Sequence, residues 1–249
     1  MPTSPTGAPV ALVTGSARRL GAATVRRLHA EGFQVAIHCR NSRAQADALA
    51  RELEQARPGS ILVLQADLAQ SDRLPGLVAG TVDRFGRLDA LVNNASAFFP
   101  TPVGDTTPAQ WDTLLASNAR APFFLAQAAA PHLRQSRGAI VNMVDLYAER
   151  PLAGHTVYCM AKAALLAMTR SLALELAPQV RVNAVSPGAI LWPEEGGEDE
   201  ARRDMLERTP MDRTGTPEEI ASAVHWLLRE ATYSTGQVLY LDGGRRLPG

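Results

Sequence analysis

Residues 11–28, "ALVTGSARRLGAATVRRL", carry an apolar run into Thr14 and Gly15 and then, from near Leu20, into helix-forming residues. A strand followed by a glycine turn and a helix leaves the first N–H groups of the helix open, where they can face a pyrophosphate. The spacing is T-G-x-x-x-R-x-G, with Arg19 where a dinucleotide loop more often has its middle glycine. Alone, this loop is weak evidence, and a tight turn without ligand is its alternative reading. Its meaning depends on the rest of the chain.

Six further short apolar runs follow between helix-like stretches: "QVAIHC", "ILVLQAD", "ALVNNA", "GAIVNMV", "VRVNAVSPG" and "QVLYLDGG". With "VALVTG" they predict seven strands. Their near-continuous hydrophobicity means burial on both faces, and their alternation with helices means parallel pairing through right-handed crossovers. The expected fold is α/β, a doubly wound seven-stranded parallel sheet flanked by helices. Residues 1–8 read as a loose tail and 9–249 as a single domain. The stretch "PEEGGEDEARRD" at 193–204 is the one compositional break and reads as a mobile excursion after the sixth strand.

The chain has 249 residues, 46% of them hydrophobic, enough for one sizeable core. Twenty-five basic residues balance 25 acidic ones, so no excess field draws nucleic acid or an anionic membrane. The N-terminal "MPTSPTGAP" lacks a basic, apolar leader pattern, and no later window holds roughly 18 uncharged apolar residues. A cytoplasmic location is expected, with no membrane or nucleic-acid partner. Cys39 and Cys159 are too few for a disulfide framework and have no metal-ligand spacing, so reduced thiols and no metal are expected.

A dinucleotide site selective for NAD usually has Asp or Glu near the end of the second strand, to bond the ribose 2′-hydroxyl. Here that strand ends in "IHCRNS". His38, Arg40, Asn41 and Ser42 offer cations and donors with no carboxylate, a set suited to a 2′-phosphate. NADPH is therefore expected over NADH, with Gly15, Arg19, Leu20 and Gly21 forming the phosphate turn.

The pieces "TGSARRLG", "ADL" at 66–68, "NNA" at 93–95, Asn118, "YCMAK" at 158–162 and "SPG" at 186–188 resemble the short-chain dehydrogenase/reductases over essentially the whole chain. The resemblance implies a Rossmann-type fold, with Asp67 and Leu68 flanking the adenine. It also implies that Asn94 and Ala95 line the cofactor cleft and that Pro187 and Gly188 approach the nicotinamide. Within that superfamily, "TGSARRLG", "HCRNS", "NNASAFFPTP" and "NMVD…PLAGHTVYCMAK" are most similar to the pteridine reductases, with the dihydromonapterin reductases a close variant. That likeness implies that Arg19 and Ser96 touch cofactor phosphate and substrate and that Phe98 stacks on a pterin. It further implies a homotetramer. Cys39, Arg40 and Asn41 depart from the family's usual residues at the 2′-phosphate, and the 189–210 loop does not align.

Tyr158 and Lys162 stand four apart, on one face of a helix, so one cation can act on one phenol. A nearby ammonium is expected to favour the phenolate and bring the Tyr158 pKa down, while Lys162 also has the reach to bond a ribose hydroxyl. Most relatives place Ser thirteen residues before this Tyr; here the residue is Asp145, and no Ser lies between 140 and 147. A ketone thereby loses its usual hydroxyl donor. A ring imine accepts hydride more readily once its nitrogen is protonated, and Asp145 can bond Tyr158 so that the phenol keeps a proton to transfer. The alternative reading of Asp145 is a cap for the helix or loop after the fifth strand. Phe98 is expected at the substrate, Phe99 in the core, Trp192 over the site or in packing. His155 is expected to be structural, and Asp242 to serve a C-terminal turn.

Three functions are consistent with these residues. The first is NADPH-dependent reduction of pterin or folate-like substrates, with Asp145, Tyr158 and Lys162 catalytic. The second is carbonyl reduction by an enzyme that tolerates Asp at the Ser position. The third is an NADP(H)-binding sensor or scaffold without catalysis.

Overall fold

The computed structural model describes residues 7–191 and 205–247. Residues 1–6 of the expected tail, Trp192 and the 193–204 excursion lie outside the described residues. The seven strands are β1 (Val10–Val13), β2 (Gln34–Cys39), β3 (Ile61–Gln65), β4 (Ala90–Asn93), β5 (Ala139–Met143), β6 (Arg181–Pro187) and β7 (Val238–Leu241). Between them run α1 (Arg19–Ala30), α2 (Arg43–Ala56), α3 (Leu74–Phe85), α4 (Pro108–Leu115), α5 (Ala121–Ser136), α6 (Thr156–Leu176) and α7 (Pro217–Arg229). The strands form one parallel sheet in the order β3-β2-β1-β4-β5-β6-β7. Strand order reverses at β1, which pairs with both β2 and β4, and a crevice opens there at the carboxyl edge.

The central strands bury alternate residues in two cores, one on each face of the sheet. Val13, Val92 and Val141 face one side with Val25 and Leu28 of α1 and Val224 and Leu227 of α7. Leu12, Leu91 and Ile140 face the other with Leu77 of α3, Leu125 and Leu133 of α5, and Leu172 of α6. Burial on both sides is the physical reason for the unbroken apolar runs.

The first turn is a steric fit. Gly15 has φ +58°, and a Cβ there would come within 2.8 Å of the Ala95 Cα. At Gly21 a Cβ would meet the Gly15 carbonyl oxygen at 2.6 Å and the Asn94 Nδ2 at 2.7 Å. Arg19 has φ +53°, a left-handed conformation uncommon for a residue with a Cβ. That conformation explains why Gly is commoner at this position.

Helix α6 is 21 residues long and, among the described residues, the one helix long and apolar enough to cross a bilayer. Here it packs on the sheet, with Leu165, Thr169, Leu172 and Leu176 buried. Its other face leaves Met160 and Leu174 exposed, the latter at 83%, and α5 exposes Phe123. Between α4 and α5, residues Ala116–Arg120 form a π-helical turn that carries Asn118.

Candidate active site

The crevice at β1 is a cleft of about 620 Å³. Its walls bring together Gly15, Arg19, Leu20 and Gly21 from the first turn and His38, Arg40, Asn41 and Ser42 from the end of β2. Asp67 and Leu68 follow β3, and Asn94, Ala95 and Ser96 follow β4. Arg18 lines the cleft too, beside Arg19, as do Thr113 and Ser117. The sequence reading passed over these three; for Arg18 the signal was a second cation in the same turn.

Hydrogen bonds lock the walls together. Asn94 Nδ2 donates to the carbonyls of Thr14 and Gly15 at 2.8 and 3.0 Å. Thr14 Oγ1 accepts from the Asn94 and Ala95 N–H groups, each at 3.0 Å. The backbone of Ser16 bonds that of His38, and the Ser16 hydroxyl donates to the Val13 carbonyl at 2.7 Å.

His38 requires a correction. It lines the cleft, but its ring is buried and both nitrogens are committed. The Gly15 N–H donates to Nδ1 at 3.1 Å, which assigns the ring proton to Nε2, 3.1 Å from the Ala66 carbonyl. Burial also lowers its pKa. The ring is thus a neutral brace between β2, β3 and the glycine turn, rather than a cation for a phosphate.

Asp145, Tyr158 and Lys162 lie beyond the walls of this cleft and meet one another. Asp145 has an extended backbone and caps the short 3-10 turn Leu146–Ala148, its Oδ1 accepting from the Tyr147 N–H at 2.8 Å. Its Oδ2 accepts from the Tyr158 hydroxyl at 2.7 Å. The cap and the contact to the phenol thus coexist, one oxygen each. Lys162 is 2% exposed; its Nζ donates to the Met143 carbonyl at 2.9 Å and stands 5.7 Å from the centre of the Tyr158 ring.

The expected effect of Lys162 on the phenol is reversed. Burial first, then the Asp145 charge and hydrogen bond, push the Tyr158 pKa up, and only the Ser96 hydroxyl pulls the other way. Lys162 is not among the groups that move the phenol, and burial holds its own pKa down at about 8. Tyr158 therefore keeps its proton.

Ser96 joins the two regions. It lines the cleft, acts on the phenol by lowering its pKa, and donates to Asn118 Oδ1 at 2.7 Å. Asn118 is fully buried, and its Nδ2 donates to the carbonyls of Ala97 and Leu114 at 2.9 and 3.0 Å. Its place on a π-helical turn matches a common setting of functional residues.

Phe98 is 53% exposed, its ring 4.8 Å from that of Tyr158 and nearly perpendicular to it. One of its faces carries His155, stacked at 4.7 Å with 11° between the planes. His155 thus backs the ring beside the phenol, a placement missed from sequence although 155 and 158 are one helical turn apart. Phe99 packs with Leu114 and Val157, as expected. Pro187 ends β6, and the Gly188 N–H donates to the Leu241 carbonyl at 2.9 Å, which ties the end of β6 to β7. The carboxylate of Asp242 accepts from the N–H groups of Gly244 and Arg246 at 3.0 and 2.9 Å, the expected turn.

Burial of Lys162 makes stability depend on pH. Its pKa in the folded chain, about 8, lies below the ordinary 10.5, so between these values the unfolded state binds the extra proton and stability rises with pH. The interval corresponds to the order of 3 kcal/mol. Lys162→Met, which buries no charge, is expected to lack this rise. Chemical denaturation of both proteins from pH 7 to 10 measures it, and parallel curves would contradict it.

The family described as enoyl-(acyl carrier protein) reductase matches residues 15–246. Pteridine reductase 1 of Leishmania tarentolae is 40% identical, the match covering 99% of each chain. L-fucose dehydrogenase of Mus musculus is 38% identical over 96% of this chain and 88% of the relative. A 3-oxoacyl-[acyl-carrier-protein] reductase of Staphylococcus aureus is 34% identical over 94% and 96%. Similar over nearly its whole length to reductases and dehydrogenases that differ in substrate, and sharing the parallel sheet with its crevice at β1, the chain belongs to the short-chain dehydrogenase/reductase family and is an oxidoreductase.

Proposed function

We propose that this oxidoreductase reduces a C=N bond of a pterin or folate-like ring with NADPH. The observation that carries the reading is the 2.7 Å bond from the Tyr158 hydroxyl to Asp145 Oδ2, at a position where no hydroxyl is present to polarise a ketone. The 40% identity to a protein named pteridine reductase supports it.

The cleft fits a dinucleotide. At about 620 Å³ it lies within the usual range for ligand sites, and its floor at Gly15 leaves no room for a side chain. Gly15, Arg19, Leu20 and Gly21 would hold the pyrophosphate, with Arg18 beside them. Arg40, Asn41 and Ser42 would hold the 2′-phosphate, and Asp67 and Leu68 the adenine. Asn94, Ala95, Ser96, Lys162, Pro187 and Gly188 would hold the remainder. NADPH supplies the hydride when bound. Phe98, with His155 behind one face, offers a flat ring the other face on which to stack, a contact worth about 0.5–1.5 kcal/mol beyond area burial. Ser96 and Arg19 would orient the substrate. Tyr158, held protonated, gives its proton to the ring nitrogen, and Asp145 orients the phenol while Lys162 steadies its anion. The setting would be cytoplasmic, without nucleic-acid or membrane partners.

Carbonyl reduction is the second reading, favoured by the similarity to a protein named 3-oxoacyl-[acyl-carrier-protein] reductase. NADPH oxidation with dihydrobiopterin, dihydrofolate, dihydromonapterin and a panel of small ketones separates the two. Turnover of ketones alone would overturn the pterin reading, and turnover of none would leave a cofactor-binding scaffold.

Three outcomes are expected. Asp145→Ser and Asp145→Asn lower the rate constant with a pterin by about 10²- to 10⁴-fold while cofactor affinity holds, because a positioned proton donor acts in the transition state. Unchanged turnover across the acidic limb of the pH profile would make Asp145 a cap only. NADPH binds more tightly than NADH, and Arg40→Asp reverses the order by adding repulsion to a lost contact worth about 10- to 100-fold; equal titration curves for the wild type would count against the phosphate pocket. The exposed apolar faces of α5 and α6 meet those of a second copy in a homotetramer, so light scattering returns four chains per particle, whereas a monomer stable to dilution refutes it.

A further inference from the structure

The turn that carries Asp145 is short. Leu146–Ala148 is a single 3-10 turn, closed by the Ala148 and Glu149 N–H groups on the carbonyls of Asp145 and Leu146. One such turn has little stability of its own, and its orientation decides where Asp145 aims.

Residues of the C-terminal segment contact this turn from outside. Arg150 Nη1 donates to the carbonyls of Arg245 and Leu247 at 2.9 and 3.1 Å. The Arg245 guanidinium lies 5.9 Å from the Tyr147 ring centre and reaches its hydroxyl at 3.5 Å. Tyr240 donates to the Glu149 carboxylate, and Arg246 sits 4.0 Å from the Tyr240 ring centre. Tyr147, Glu149 and Arg150 are thus each held by residues 240–247. The segment that holds them is itself braced, by the two bonds to the Asp242 carboxylate and by the Met211 N–H on the Gly243 carbonyl at 3.1 Å.

Arg150 is exposed, and on a loop it would be read as a solvated cation. Its two bonds instead pin the far end of the turn that begins at Asp145. Through Tyr147 they bear on the N–H that fills Asp145 Oδ1, and so on the direction of Oδ2 toward the phenol.

We propose that Arg150, anchored on the C-terminal carbonyls of Arg245 and Leu247, is a positioning residue that aims Asp145 at Tyr158. The proposal rests on the role given to Asp145 above. A misplacement of about 1 Å in such a group can cost 10²-fold in rate, whereas the cofactor cleft lies elsewhere and is untouched.

The test combines Arg150→Ala, Arg150→Lys, Asp145→Asn and the Arg150→Ala, Asp145→Asn double variant, assayed with the panel substrate turned over fastest. Arg150→Ala is expected to lower the rate constant by about 10-fold or more with an unchanged NADPH dissociation constant. Hydrogen exchange at the Tyr147 amide should rise by a similar factor while the amides of β5 keep theirs. Arg150→Lys, which retains a donor, should recover most of both. In the Asp145→Asn background Arg150→Ala should cost nothing further, because the two act as a unit. An unchanged Tyr147 amide, or losses that multiply in the double variant, overturns the proposal alone when Asp145→Asn is itself impaired. Full turnover by Asp145→Asn overturns the reading of Asp145 and this proposal with it.

Discussion

Asn94 and Thr14 hold two loops closer together than a side chain at residue 15 would permit. The Asn94 amide spans two carbonyls of the first turn, and the Thr14 hydroxyl accepts two N–H groups of the loop after β4. Both loops leave the carboxyl edge of neighbouring strands, so these bonds set the width of the crevice at the switch point. Two residues along the same loop, Ser96 donates to Asn118 on the π-helical turn. The same small set of contacts therefore fixes how the loop after β4 stands against the first turn. Glycine at 15 and 21 is a condition of that closeness, since a Cβ at either would overlap the opposing atoms.

At the other end of the site, one carboxylate is divided between two tasks. Oδ1 of Asp145 caps a turn and Oδ2 accepts the hydrogen bond of the Tyr158 hydroxyl, so the local fold and the phenol draw on the same side chain. A carboxylate offers each of these groups its own oxygen, whereas a hydroxyl has a single oxygen for both. The burial that keeps Tyr158 protonated also pulls Lys162 down to about 8, so neither group by itself favours a phenolate. Such an arrangement suits delivery of a proton more than its removal. The same carboxylate depends on its neighbours for aim, because a single 3-10 turn is too short to hold it without outside contacts.

The legible part of this site was its local spacing. A strand ending in T-G, an arginine four residues beyond Gly15, and Tyr158 one turn from Lys162 all depend on backbone periodicity, which the chain carries in its own order. Residue partners were less legible. His38 read as a cation at a strand end, but the fold turns its ring inward against Gly15 and Ala66. His155 read as structural, and only the fold shows what it supports, the Phe98 ring that the loop from β4 lays on it. That loop is tied to the start of α6 by the Thr101 N–H on the Gly154 carbonyl and by the Val157 N–H on Thr101 Oγ1, contacts across more than fifty residues of sequence.

What the sequence determined by itself was the parallel sheet, its two buried faces and the gathering of residues from four strand ends at one cleft. Apolar runs of strand length between helices admit few other packings, and connections in parallel sheets bring strand ends to one edge. What only the tertiary structure decided was the state of each titratable group. The sign of a pKa shift depends on how far burial outweighs neighbouring charge, and both are properties of the folded environment. Lys162 beside Tyr158 in a helix predicts a lowered phenol. Lys162 desolvated, with Asp145 on the phenol's oxygen, produces the opposite.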